Sequence, residues 1–317
     1  MSRVRTLSET LLKNPRYVTI EDYRVEKVAE ILADTELEIP TWDFRPLYPQ
    51  VDNFEEMCLF YLIFNSINYC YFDHDSKKFS DNGRLHGSSL AATRLTEHWE
   101  DIKNPEFLAN VDENYLLAEL FRAECPISMV KERAYALREV GSFINRNADF
   151  TFRKFFQKYK SNAYYVSQAI PTLLPSWEDA FFKRAQLFVA MVYGRFQHDE
   201  IRPFEQGLED LTVFADYRVP ETLIRMGVIV PAASLMTRIH RRERIHSGSR
   251  KELELRAASI LGADAVMDAL NTRKETAINS LHLDYLLWSA GRKVDEAPEG
   301  LFVQHHITHH YTMTTDY

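Results

Sequence analysis

Apolar residues recur every three to four positions along most of this chain, and that period favours one architecture above others: helices packed on helices. The pattern predicts amphipathic or buried helices over Val25 to Leu32, Phe54 to Phe64, Ser89 to Trp99, Leu116 to Phe121, Met129 to Asn145 and Phe150 to Tyr159. It continues over Trp177 to Phe196, Glu221 to Met226, Arg250 to Leu270 and Ile278 to Trp288, punctuated by Pro171, Pro175, Pro203, Pro220 and Pro231. The exception lies between Tyr69 and His86. There the aromatic alternation of Tyr69-Cys70-Tyr71-Phe72 leads to Asp81-Asn82-Gly83, which predicts a small β-hairpin or irregular insert. No internal repeat or low-complexity linker divides the sequence. The expected fold is mainly α, one compact helical domain over residues 1–317, with a helical extension at 1–40 and a histidine-rich tail at 300–317.

Of the 317 residues, 45% are hydrophobic and 13% aromatic, enough for a large buried core. A formal charge of -8 argues against broad electrostatic capture of nucleic acid, so a small or phosphorylated ligand is the easier partner. Three cysteines, Cys58, Cys70 and Cys125, form no Cys-x-x-Cys pair. They indicate neither a disulfide framework nor a cysteine zinc site, and they fit a reducing cytoplasm. The opening Met1-Ser-Arg-Val-Arg lacks a signal-peptide apolar region, and the apolar run near Met57 to Phe64 is too short to cross a bilayer. A soluble, cytoplasmic protein with no membrane partner is expected. No Gly-x-Ser-x-Gly, Walker loop or dinucleotide fingerprint occurs, and no cofactor is expected. Histidines four apart in the set His305, His306, His309 and His310 could share a helical face and hold a metal. No acidic or cysteine partner completes a tetrahedral set, so the expectation is no metal and a partly ordered tail or phosphate-binding edge.

Three segments carry residues suited to chemistry. In Phe214-Ala215-Asp216-Tyr217-Arg218-Val219-Pro220, a carboxylate flanked by Phe214 and Tyr217 precedes a helix expected to start at Pro220. Asp216 in that turn, near amide donors and partly desolvated, reads either as a capping or paired anion or as a reactive one facing a developing positive charge. Lys183 falls among the apolar positions Phe182, Ala185, Val189 and Tyr193 and is expected to be half buried. It is either a snorkelling lysine paired with a carboxylate or a group that positions an active-site anion. Asp284 and Trp288 lie four apart on one helical face, which sets an acceptor beside an aromatic wall. That face could clamp a planar heterocycle, or be a core helix with one satisfied aspartate.

Taken together, Phe-Lys-Arg-Ala-Gln at 182–186, Phe-Ala-Asp-Tyr-Arg-Val-Pro at 214–220 and the Ile-Asn-Ser…Leu-Asp-Tyr…Leu-Trp pattern at 278–288 resemble the queuosine salvage family of queuosine 5′-phosphate N-glycosylases. The aromatic, asparagine-containing segment Asn65 to Phe72, Met129 to Arg133 and Ser249 to Arg256 also fit, so the likeness runs from about Trp42 onward. The resemblance implies a mostly helical fold related to helix-hairpin-helix DNA glycosylases and release of the 7-deazaguanine base queuine. It implies Asp216 as the catalytic aspartate, Phe214 as a base-stacking residue, Asp284 with Tyr285 as base-binding residues and Lys183 as a lysine near the site. Phe72 and Trp288 belong to the expected substrate-binding set. Three departures stand out. Arg45 occupies the place of a family histidine and is itself a candidate substrate contact, Ser289 follows Trp288 where the family has Asp, and the C-terminal pattern is replaced by the histidine-rich stretch.

The chemistry makes sense of these residue types. Breaking an N-glycosidic bond builds positive charge on the sugar, which a fixed carboxylate stabilises. A 7-deazapurine has carbon in place of N7 and cannot be protonated there, which raises the demand for stabilisation at the sugar. Asp284 could accept from a guanine-like N1–H and exocyclic amine while Phe214 or Trp288 covers a ring face. The departures open a second reading, hydration of 7-cyano-7-deazaguanine in DNA to its amide. In that reading the basic run Arg238 to His246 contacts phosphates, and otherwise it is a solvated helix end. A non-enzymatic 7-deazaguanine-binding module is the third.

Overall fold

A computed structural model describes residues 2–317 apart from Arg45, His74, Ser76, Gly83 and His305. Among the described residues there are fifteen α-helices, which confirms the mainly α expectation. In chain order they are α1 (Arg3–Leu12), α2 (Asp22–Leu32), α3 (Phe54–Ser66), α4 (Gly87–Glu97), α5 (Trp99–Ile102), α6 (Pro105–Leu108), α7 (Glu113–Tyr115) and α8 (Val130–Arg146). There follow α9 (Phe152–Lys158), α10 (Ala163–Leu173), α11 (Lys183–Phe196), α12 (Arg218–Met226), α13 (Ala233–His240), α14 (Arg250–Asn271) and α15 (Ser280–Arg292). Four short strands among the described residues make two antiparallel pairs, β1 (Val18–Ile20) with β4 (Ile229–Pro231) and β2 (Ser80–Asp81) with β3 (Leu85–His86). The second pair is the hairpin expected between Tyr69 and His86. The chain forms two compact units, Met1–Pro40 with Gly207–Met313, and Thr41–Gln206 with Thr314–Tyr317.

The first unit is built on α14. Ser249 caps its first turn, its Oγ accepting from the Glu252 amide at 3.4 Å. Leu255, Ala257, Ala258 and Ile260 are fully buried on successive faces, and α1, α2, α12, α15 and the β1–β4 ladder pack around the helix. Residues 1–40 belong to this core. Arg5 pairs through Nε with Asp264 at 2.8 Å and donates through Nη2 to the Leu211 carbonyl at 2.8 Å. Glu254 is wholly buried on α14 and accepts from the Tyr17 amide at 2.7 Å.

In the second unit, α3 is apolar and largely buried from Met57 to Phe64, as a central helix must be, with Glu55 and Glu56 confined to its first turn. Asn53 caps it, and α4, α8, α9 and α11 pack against it. Phe54 meets Phe196 and Phe156 at centroid separations of 4.9 and 6.2 Å, and Trp177 donates to the Ser66 hydroxyl at 3.1 Å. Fully buried Arg133 holds the aromatic segment by donating to the carbonyls of Ile67, Tyr69 and Cys70.

Several boundaries differ from the periodicity. The helix expected from Trp177 begins only at Lys183, because Asp179 accepts from the Phe181 and Lys183 amides and Phe182 sits at φ 55°, a left-handed turn that the apolar spacing runs straight through. The segment expected as one helix from Ser89 to Trp99 is interrupted at His98, and Leu116–Leu120 forms a π turn after α7. Pro171 ends no helix but lies in the last turn of α10, where the missing amide costs one backbone bond. Among the described residues the tail forms no helix at the histidines. His309 and His310 are 5% and 2% exposed, so the partly ordered tail is instead a packed segment whose Tyr311 bridges to Arg244. His305 lies outside the described residues.

Candidate active site

Asp216 lies where α12 begins, and one of its oxygens caps that helix. Its Oδ1 accepts from the amides of Arg218 at 2.6 Å and Val219 at 3.1 Å. The helix thus starts two residues before Pro220, which occupies the third position, where a missing amide is still harmless. Both bonds fall on Oδ1, so the cap does not consume the other oxygen. The side chain is half buried, and the carboxylate faces the positive end of the helix dipole.

The loop bearing Asp216 is fixed from two sides. The Phe214 amide donates to Asp284 Oδ1 at 2.7 Å, and Arg256 Nε donates to the Ala215 carbonyl at 2.8 Å. The Asp216 amide closes a tight turn onto the Phe214 carbonyl at 2.6 Å. Phe214 is 4% and Asp284 9% exposed. Asp284 is therefore a structural anchor of the loop whatever else it contacts. The aromatic wall expected beside it is present, with Tyr285 and Trp288 stacked at 6.3 Å and 19° and the Arg292 guanidinium 4.6 Å from the Trp288 ring centre. Ser289 turns its hydroxyl onto the carbonyls of Tyr285 and Leu286, at 2.7 and 3.1 Å. The departure at that position replaces an acid with a group satisfied by its own helix.

A basic shell surrounds this loop. Glu221, whose side chain is 4% exposed, bridges Arg218 and Arg225, each at 2.8 Å. Burial opposes the charge on Arg218, but Glu221 and then Tyr217 outweigh it and hold its pKa above the ordinary guanidinium value. Arg242 and Arg292 are lowered, chiefly by burial, with Arg218 adding repulsion. His309 packs on Tyr217 with ring centres 4.7 Å apart. Burial, with help from Arg218 and Arg242, holds it well below the usual imidazole range, while burial beside Arg256 pushes His310 down to about 3. Both are neutral imidazoles at pH 7. Among the described residues no group of three His, Cys, Asp or Glu is placed to hold a metal.

Phe214, Asp216, Asp284, Tyr285 and Trp288 thus gather in the first unit. Lys183 and Phe72 belong to the second. Lys183 is only 5% exposed, so it is buried rather than half buried, and its Nζ donates to the Asn68 carbonyl at 3.4 Å. Phe72 is 2% exposed and pairs with Lys78 in a β-bridge. Arg45 lies outside the described residues. In the basic run Arg238 to His246, Arg241 and Arg244 are exposed and Glu243 lies within 3.8 Å of Arg238 and 3.7 Å of Arg241, while Arg242 turns inward and donates to the His309 carbonyl at 3.4 Å. Arg256 and Glu221 were not singled out from the sequence. For Arg256 a signal existed, an arginine inside an apolar helical run with Glu252 four residues before it.

The first unit thus sets a helix-capping carboxylate, a stacked aromatic pair and several arginines on neighbouring elements. The sequence pattern of the queuosine salvage protein family matches residues 47–317, and the chain belongs to that family. It is 29% identical over 315 residues to a queuosine 5′-phosphate N-glycosylase/hydrolase of Sphaerobacter thermophilus, covering 95% of each chain. A protein of the same name from Bos taurus is 25% identical over 333 residues, covering 95% of this chain and 96% of the relative. The Mus musculus protein of that name is 28% identical over 200 residues, 58% of this chain and 59% of the relative. Among the described residues no helix is long and apolar enough to cross a membrane.

Proposed function

We propose that this protein hydrolyses the N-glycosidic bond of queuosine 5′-phosphate and releases queuine. The observation that carries the proposal is the Asp216 carboxylate, held at the start of α12 by two amides on one oxygen, in a chain aligned almost end to end with relatives of that name. In this reading Asp216 stabilises, or transiently captures, the cationic sugar, and water completes the hydrolysis. Asp284, whose Oδ1 accepts from the Phe214 amide, is the candidate contact to the guanine-like edge of the base. Phe214, Tyr285 and Trp288 contact its ring faces. The arginines nearby suit the phosphate. Lys183, Phe72 and Arg45 are retained from the family resemblance as candidate site residues.

The test is incubation with queuosine 5′-phosphate and mass spectrometry of the products. Free queuine with loss of the nucleotide is expected, and binding without base release would make the protein a 7-deazaguanine-binding module instead. Digested DNA containing 7-cyano-7-deazaguanine, analysed in the same way, reads the DNA alternative. New amide there, with the free nucleotide untouched, would replace the salvage reading.

A further inference from the structure

We infer that Arg256 is a positioning residue for Asp216, and that the buried Glu252–Arg256 pair sets the direction in which the Asp216 carboxylate faces. The inference rests on the catalytic reading of Asp216 given above.

The geometry is that of a fixed peptide plane. The peptide between Ala215 and Asp216 carries one acceptor, the Ala215 carbonyl, and one donor, the Asp216 amide. Arg256 Nε donates to the first at 2.8 Å, and the second closes on the Phe214 carbonyl at 2.6 Å. With both ends of that plane bonded, its rotation is blocked, and rotation is what would swing the Asp216 Cα–Cβ bond. Two residues before Asp216 the Phe214 amide is held by Asp284. The loop is therefore gripped by a buried cation from α14 and a buried anion from α15.

Arg256 is itself fixed. It lies in the second turn of α14, is 1% exposed, and its Nη1 stands 3.5 Å from Glu252 Oε1 one helical turn earlier. Glu252 is also 1% exposed and accepts from the Gly248 amide at 3.0 Å, which ties the pair to the start of α14. Burying a guanidinium is costly unless it is paired and hydrogen-bonded. Its planar, rigid fork suits a carbonyl that must be held in a fixed direction. Neutral His310 beside Arg256 keeps a second positive charge out of the pocket that holds this guanidinium.

The experiment compares wild type, Arg256→Lys, Arg256→Met with Glu252→Gln, and Asp216→Asn in steady-state release of queuine from queuosine 5′-phosphate. Circular dichroism confirms the fold. Lys keeps the charge but not the planar fork, and the double variant removes both buried charges together so that neither is stranded. A small misplacement of a catalytic group costs about 10²-fold. The expected result is a kcat lowered about 10²-fold in the double variant, a smaller loss in Arg256→Lys, and KM within about twofold of wild type in both. A role confined to folding would lower the melting temperature and leave kcat of the folded fraction unchanged. That outcome overturns the inference, as does a rise in KM at constant kcat. Should the double variant fail to fold, Arg256→Lys decides alone, and wild-type kcat in it overturns the inference. Asp216→Asn separates the two layers. If it is inactive while Arg256→Lys retains full kcat, the catalytic reading stands and the positioning role falls; if it turns over normally, both fall.

Discussion

Gly291 provides the sharpest test of how α12 and α15 are held. A Cβ added there would lie 2.3 Å from Thr222 Oγ1, and that hydroxyl donates to the Leu287 carbonyl at 3.0 Å. Contacts below 3.0 Å are essentially never seen for a real Cβ, so the helices or the Thr222 rotamer must give by roughly 0.7 Å. Helix propensity alone says that Gly291→Ala stabilises, by about 1 kcal/mol. The contact says otherwise. Overpacking of this kind costs about 1–3 kcal/mol, and the net change is a loss of about 1 kcal/mol. Thr222→Ala removes the oxygen and costs about 1 kcal/mol through the lost hydrogen bond. In that background Gly291→Ala should turn stabilising, because only the propensity gain remains. The four proteins of this cycle are compared by urea unfolding followed by far-UV circular dichroism. A stabilising Gly291→Ala in the Thr222 background would refute the close approach, and simple additivity would refute the coupling.

Asp216→Asn removes the charge at constant size, so turnover falls at least about 10²-fold while nucleotide still binds by calorimetry; wild-type turnover would contradict its role. Lys183→Met is expected to lower kcat less than Asp216→Asn does in the same assay. Trp288→Ala strips one face of the Tyr285–Trp288–Arg292 stack and raises KM about tenfold with little change in kcat; an unchanged KM would remove Trp288 from the substrate contacts. His310, pushed down to about 3 in the folded protein against an ordinary 6.5, leaves stability intact above pH 6.5. As pH falls from 6.5 toward 3, the unfolded chain binds a proton that the folded chain refuses, and stability is lost. Melting temperatures from pH 7.5 to 4.5 should fall less steeply in His310→Asn than in wild type.

The helices were legible because burial imposes a period, and the stretch around Asp216 was legible because a carboxylate before a proline-containing helix start is a local signal. What stayed hidden depends on distant partners. The β1–β4 pairing joins Ile20 to Ile229, and Pro231 reads as a breaker until its edge position is known. The late start of α11 turns on Asp179 side-chain bonds and a left-handed Phe182, neither of which disturbs the apolar spacing. The histidines read as a polar tail because nothing local announces that His309 will pack on Tyr217. Asp284 was legible as a polar residue on an apolar face, but not as the acceptor for an amide 70 residues earlier.

The first unit is assembled from two stretches of chain with the whole of residues 41–206 synthesised in between. Helices α1 and α2 lean on α14, which begins roughly 220 residues after α2 ends, an interval of about 10–45 s at ordinary rates of translation. During that wait the apolar stripes of both helices, Val4 on one and Val25, Val28 and Leu32 on the other, have no native surface to cover them. Residues 41–206 make most of their contacts among themselves and can collapse within that interval, whereas α1 and α2 must wait for their partner helix.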